Sequence, residues 1–136
     1  MKKRILLVDG DAAVQSQVTR LLGLAGYEVV IATDWLSANN QYYRADRRPD
    51  VLLIEVELGT TIKGTQIAWA YARASMRPGG GERPVILLFS AHDDAALERM
   101  VADSGADGYI RKRPTMPGLV EAVNEWSARE TAALAI

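Results

Sequence analysis

A chain of 136 residues with 49% hydrophobic, 24% charged and 7% aromatic residues has the composition of one ordinary globular domain. A formal net charge of −1 excludes a global basic field that would draw in nucleic acid, the lack of cysteine excludes disulfides and thiolate chemistry, and the single histidine, His92, excludes a multi-histidine metal site. No apolar run approaches the roughly 20 residues of a membrane span, and Met1-Lys2-Lys3-Arg4 precedes only the short stretch Ile5–Val8, so a soluble, cytoplasmic protein is expected.

Five apolar runs of strand type occur in order: Ile5–Val8, Glu28–Ala32, Val51–Ile54, Val85–Phe89 and Gly108–Ile110. The first, third and fourth are continuously apolar, as strands covered on both faces are. Helix-period segments lie between them. Asp11 is placed to cap a helix carrying Val14, Val18, Leu21 and Leu22, ending near Gly23 or Gly26. Asp34 caps the next, through Leu36, Ala38 and Tyr42, stopped by Pro49. Thr65 is the expected cap of a third, with Ile67, Ala68, Tyr71 and Ala74, closed by Pro78 and Gly79–Gly81. A fourth starts near Asp94 and stops at Gly105, and a fifth starts at Thr115-Met116-Pro117, with proline in the first turn.

Strand alternating with helix predicts an α/β fold: one domain over residues 1–136, built as a doubly wound, five-stranded parallel sheet. In such sheets the ligand crevice lies beyond the carboxyl ends of the strands. The residues ending the runs are Asp9-Gly10-Asp11, Glu55-Val56-Glu57, Ser90, and Tyr109 leading into Arg111-Lys112-Arg113. Carboxylates, a hydroxyl and a cation therefore converge on one rim, a pattern suited to a hard cation and a phosphoryl group.

Pro49-Asp50 before the third strand, an acid ending it, Ser90-Ala91 after the fourth and Gly105-Ala106-Asp107-Gly108-Tyr109 into the fifth, together with Ile5–Asp9, resemble the receiver domain of bacterial two-component response regulators. The resemblance spans residues 4 to about 128 and implies a (βα)5, flavodoxin-like fold. It further implies an Asp that accepts phosphate from a histidine kinase, Mg²⁺ held by an acidic pair, a hydroxyl and a lysine on the phosphoryl group, and an aromatic that swings inward. Ser90, Lys112 and Tyr109 fit the last three positions. Asp9, Glu55 and the backbone carbonyl of Glu57 fall at the metal positions.

This sequence departs from that family at the chemistry. The phosphoacceptor position carries Glu55, and Gly10 stands where the second acid of the pair belongs. Arg113 replaces the family's proline, with Pro114 one place later, so the basis for a cis peptide after the lysine is lost; the loop from Glu55 to Gly64 is also one residue longer. Glu sets its carboxylate about 1.5 Å farther from the backbone than Asp, and a misplacement of about 1 Å can cost on the order of 100-fold in rate. The expectation is a degenerate receiver without an output domain, with Mg²⁺ binding weak or lost. It would act through contact with a histidine kinase, a phosphotransfer protein or a downstream signalling protein. The extra reach of Glu55 would also let it engage Lys112 and Ser90 as a partial phosphoryl mimic.

The same residues admit other roles. Asp11 reads first as a helix cap and second as a substitute metal ligand. Trp35, near the rim, reads as a partner contact or as packing on a neighbouring loop. Tyr109 fits half-buried packing as well as a switch. Glu57 and His92 read as solvent-facing, Arg44, Arg47 and Arg48 as a solvated helix end, and Trp126 as the inner face of the last helix. Extension of that helix toward Ile136 would offer apolar surface for a homodimer. Two alternatives are a conventional phosphorylatable regulator with an atypical site and a small phosphohydrolase. For the latter, Asp9-Gly10-Asp11 resembles the DxD opening of haloacid-dehalogenase-type phosphatases, with Asp9 as nucleophile and Asp11 as general acid.

Overall fold

A computed structural model describes residues 2–44, 48–74 and 83–135, with the backbone alone for Arg44 and residues 130–135. Five strands, β1 (Arg4–Val8), β2 (Glu28–Ala32), β3 (Val51–Ile54), β4 (Val85–Ser90) and β5 (Gly108–Arg111), alternate with five helices, α1 (Ala12–Leu24), α2 (Trp35–Arg44), α3 (Gly64–Ala74), α4 (Asp94–Ser104) and α5 (Leu119–Ala135). All strand pairs are parallel, in the order β2-β1-β3-β4-β5.

The period-2 geometry of a strand divides the sheet's side chains into two cores. Ile5, Leu7, Leu53 and Leu87 pack with Val18, Leu22 and Val123 of α1 and α5. Leu6, Val8, Leu52 and Leu88 pack with Tyr42, Ile67, Tyr71 and Leu97 of α2, α3 and α4. This two-sided burial is why β1, β3 and β4 read as unbroken apolar runs. Strand order reverses at β1, whose neighbours β2 and β3 lie on either side, so the crevice falls beyond Val8 and Ile54, which are directly paired.

The capping residues account for most helix starts. Asp11 accepts from the N–H groups of Ala13 and Val14, and Asp93 from that of Ala96. Asp34 accepts from the Ser37 N–H at 2.8 Å, and this bond holds its carboxyl below the ordinary carboxylate value. Two expected starts are corrected. Thr65 does not cap α3, which begins one residue earlier; Lys63 precedes the helix, and the side chain of Gln66 reaches back to accept from its N–H at 2.8 Å. Helix α5 begins at Leu119 rather than at Pro117, after two positive-φ residues, Met116 (50°) and Gly118 (79°), that turn the chain first. The expected close of α3 at Pro78 and Gly79–Gly81, and the far end of α5 at Ile136, lie outside the described residues. No cis peptide bond occurs among the described residues.

Gly64 fixes the height of α3 against the crevice. Its N–H donates to the Val56 carbonyl at 3.0 Å, and a Cβ built on it would lie 1.8 Å from the carbonyl oxygen of Glu55. No side chain fits there without moving the strand end that carries Glu55. Gly64→Ala is therefore expected to lower stability by about 2–3 kcal/mol; urea unfolding checks this, and an unchanged midpoint would contradict it.

Candidate functional site

Backbone pairing continues one residue past the strands. The Asp9 N–H donates to the Ala32 carbonyl and the Glu55 N–H to the Val8 carbonyl, each at 2.9 Å, which sets the two acids side by side. Ser90 closes β4, and the Lys112 N–H donates to the Ser90 carbonyl at 2.8 Å. The strand order thus lays Asp9, Glu55, Ser90 and Lys112 in one row, and the lysine stem spans β4, its ammonium 5.1 Å from the centre of the Phe89 ring.

The lysine bridges both acids. Its Nζ lies 2.5 Å from Asp9 Oδ2 and 2.9 Å from Glu55 Oε2. The three side chains are 15% (Lys112), 2% (Asp9) and 12% (Glu55) exposed, so the charges are largely removed from water. The remaining oxygens are also engaged. Asp9 Oδ1 accepts from the Asp11 N–H at 2.9 Å, and Glu55 Oε1 accepts from the Ser90 hydroxyl and the Glu57 N–H, each at 3.3 Å. Gln15 adds a bond that sequence reasoning missed, donating from its side-chain amide to the Asp9 carbonyl at 2.6 Å. Burial pulls the Lys112 ammonium down, but the hydrogen bonds and charges of Asp9 and Glu55 outweigh it, and its pKa is raised above 10.5.

An open cleft of about 550 Å³ lies over this row, lined by Asp9, Gly10, Asp11, Glu55, Glu57 and Lys112 among others. The donor set does not fit the Mg²⁺ that the sequence resemblance implies. Mg²⁺ demands near-octahedral oxygen ligands at about 2.0–2.1 Å, whereas the converging oxygens of Asp9 and Glu55 are already held by an ammonium. Asp11 serves here as the cap that its position suggests: its Oδ1 caps α1, at 2.8 Å from the Ala13 nitrogen and 3.2 Å from that of Val14. Asp9, buried and paired with Lys112, is not a free nucleophile, so the phosphohydrolase alternative finds no support. Among the described residues no group of three or more His, Asp or Glu side chains is arranged to hold a metal ion.

The other candidates divide. The Glu57 side chain is exposed, but it meets His92, with Nε2 to Oε1 3.5 Å; their separation in sequence gave no sign of this. Trp35 is half-buried and packs on Tyr71, ring centres 5.6 Å apart, so packing rather than protrusion places its ring. Arg48 is not simply solvated but stacks on Tyr42 and Tyr43, at 4.8 and 4.5 Å from the ring centres; Arg47 lies outside the described residues. Trp126 does cover the sheet, filling the space that a side chain at Gly108 would need. Tyr109 lies half-buried with its hydroxyl directed outward, donating to Asp94 Oδ1 at 3.2 Å, and desolvation followed by the Asp94 carboxylate raises its pKa.

Against known proteins, the model of the response regulator receiver domain matches residues 5–124. The response regulator MprA of Mycobacterium tuberculosis (strain H37Rv) is 33% identical over 113 residues, 82% of this chain and 45% of that protein. The Mycobacterium bovis MprA (strain AF2122/97) matches to the same extent, and this chain spans 45% of its length too. Two solved structures share the fold. One is a CheY-like receiver domain protein from Methanospirillum hungatei JF-1, with TM-score 0.78, 23% identity, and coverage of 98% of this chain and 99% of that one. The other is the chemotaxis response regulator CheY4 of Vibrio cholerae, with TM-score 0.77, 22% identity, and coverage of 93% and 99%.

Removing the lysine charge leaves two buried carboxylates facing each other. Lys112→Met is expected to destabilise the fold by about 3 kcal/mol, read by urea unfolding at neutral pH. The pH dependence has a definite sign: because the folded pKa lies above 10.5, the stabilisation is complete below 10.5 and is lost as pH rises through the raised value. Wild type should lose stability across that alkaline window, and Lys112→Met should lose less.

Proposed function

This chain belongs to the response regulator receiver domain family, and from that premise we propose that it is a receiver in which an internal ion bridge has replaced the phosphorylation chemistry, leaving protein–protein contact as its mode of action. The observation that carries this reading is the Lys112 ammonium held between Asp9 and Glu55. Phosphoryl transfer depends almost wholly on positioning and charge neutralisation. Here Glu55 carries one methylene too many, one of its oxygens is held by the ammonium, and the other accepts from Ser90 and the Glu57 N–H. The acid that Gly10 lacks would have raised the attraction for a dication. With Asp9 and Glu55 against Lys112, the trio keeps only a single net negative charge.

The Glu55 carboxylate takes the Ser90 hydroxyl and the Lys112 ammonium, the groups that the family pattern assigns to a phosphoryl group. It carries about one charge where a phosphate carries nearly two, so the mimicry is partial. The partners fitting this reading are a histidine kinase, a phosphotransfer protein or a downstream signalling protein that recognises the folded surface, with a second copy of the chain as a further candidate.

Incubation with acetyl phosphate and Mg²⁺, followed by intact-mass and peptide analysis, tests the proposal. No phosphoryl adduct on Glu55 is expected; a stoichiometric adduct would establish a conventional regulator instead. The paired variant Gly10→Asp with Glu55→Asp is expected to gain saturable Mg²⁺ binding. A side chain at position 10 has room, since the nearest atom to a Cβ built there is the Leu58 carbonyl oxygen at 4.0 Å.

A further inference from the structure

The outward setting of Tyr109 has a cause in this chain that lies apart from the Lys112 bridge. Asp94, the first residue of α4, is more than half exposed and faces β5 with both oxygens. Oδ1 accepts from the Tyr109 hydroxyl at 3.2 Å, and Oδ2 lies 3.6 Å from Arg111 Nη1, two residues along the same strand. Tyr109 and Arg111 share a face of β5 because side chains repeat every second residue. One carboxylate is therefore clamped to two successive side chains on one face of the edge strand. The N-terminus of α4 favours an acid at this position, and Asp93 caps the helix independently through the Ala96 N–H at 2.8 Å, so Asp94 is free for the strand.

We propose that Asp94 is a positioning residue that latches Tyr109 outward, uncoupling the aromatic from the Ser90 hydroxyl, which is already drawn onto Glu55. The inference deepens the receiver reading given above and rests on it for the meaning of the two ring positions. At the Ser90 end the hydroxyl has its anion; at the Tyr109 end the half-buried ring keeps its hydroxyl directed outward. Arg111 holds the carboxylate in register with the strand, so the latch consists of three side chains, Asp94, Tyr109 and Arg111. A partner that binds over the start of α4 and pairs with Asp94 would release the ring without any phosphoryl chemistry.

NMR of the full chain with ¹³C-labelled tyrosine and phenylalanine reads the ring directly, through cross-peaks from the ring at position 109 to the β-protons of residue 94 when outward or of Ser90 when inward. Wild type is expected to show the Asp94 set. Asp94→Ala and Tyr109→Phe should each raise the inward-to-outward ratio by about 5- to 10-fold, the change that loss of one charge-assisted hydrogen bond at an exposed site implies. Asp94→Asn, which keeps an acceptor oxygen, should fall between them and wild type. A single outward rotamer in either Asp94→Ala or Tyr109→Phe overturns the proposal, because packing rather than the bond would then hold the ring. The readout is separate from Mg²⁺ binding and from phosphoryl adducts, so failure of the latch and failure of the ion-bridge reading are told apart.

Discussion

The bridge from Lys112 to Asp9 and Glu55 is the interaction on which the rest of the site depends. It joins residues that follow β1, β3 and β5 and passes over the end of β4, so a single ammonium ties the carboxyl ends of four adjacent strands. Buried ion pairs stabilise little relative to an apolar replacement, yet breaking one by removing a partner is costly. That asymmetry gives the trio its meaning. Each acid is tolerable in a largely dry crevice because the lysine is there, and the lysine keeps its charge because the acids outweigh its burial.

The two departures at positions 10 and 55 act on the same balance. An acid at position 10 would add a negative charge beside Asp9 that one ammonium could not offset, and the crevice would then favour a dication. Glycine removes that demand. The longer side chain at position 55 lets its carboxylate reach across to Ser90 and Lys112 while its backbone stays in register through the Val8 carbonyl. A shorter acid on the same backbone would stop about 1.5 Å sooner. A missing acid and an overlong one thus leave a crevice with a single uncompensated negative charge, its carboxylate oxygens already bonded from within. At the other end of the site a third carboxylate, that of Asp94, accepts from the Tyr109 hydroxyl.

The fold was legible because strand burial on two faces leaves unbroken apolar runs and because Asp11, Asp34 and Gly105 punctuate helices by local chemistry. The row of rim residues was legible too, since strand ends converge in any doubly wound sheet. Thr65 misled because the start of α3 is set by the close approach of Gly64 to the Glu55 backbone, a tertiary contact with no local signature. The start of α5 was misread for a similar reason: the turn at Met116 and Gly118 precedes the helix, and proline suits a turn as well as a first helical position. The contact of His92 with Glu57, far apart in sequence, and that of Gln15 with the Asp9 carbonyl, across the turn into α1, depend on which groups face one another after folding. Trp35 shows the same limit, its ring placed by Tyr71 of α3.

The central claim is that an ammonium occupies the seat between Asp9 and Glu55, and the ¹⁵N resonance of the Lys112 side chain reports that seat. During a Mg²⁺ titration into the millimolar range, the account predicts a slowly exchanging Lys112 ammonium signal that keeps its shift, with only small changes at residues 9–12 and 55–59. Saturable loss of that signal, together with large shifts at Asp9 and Glu55, would mean that the dication displaces the lysine and would contradict the account.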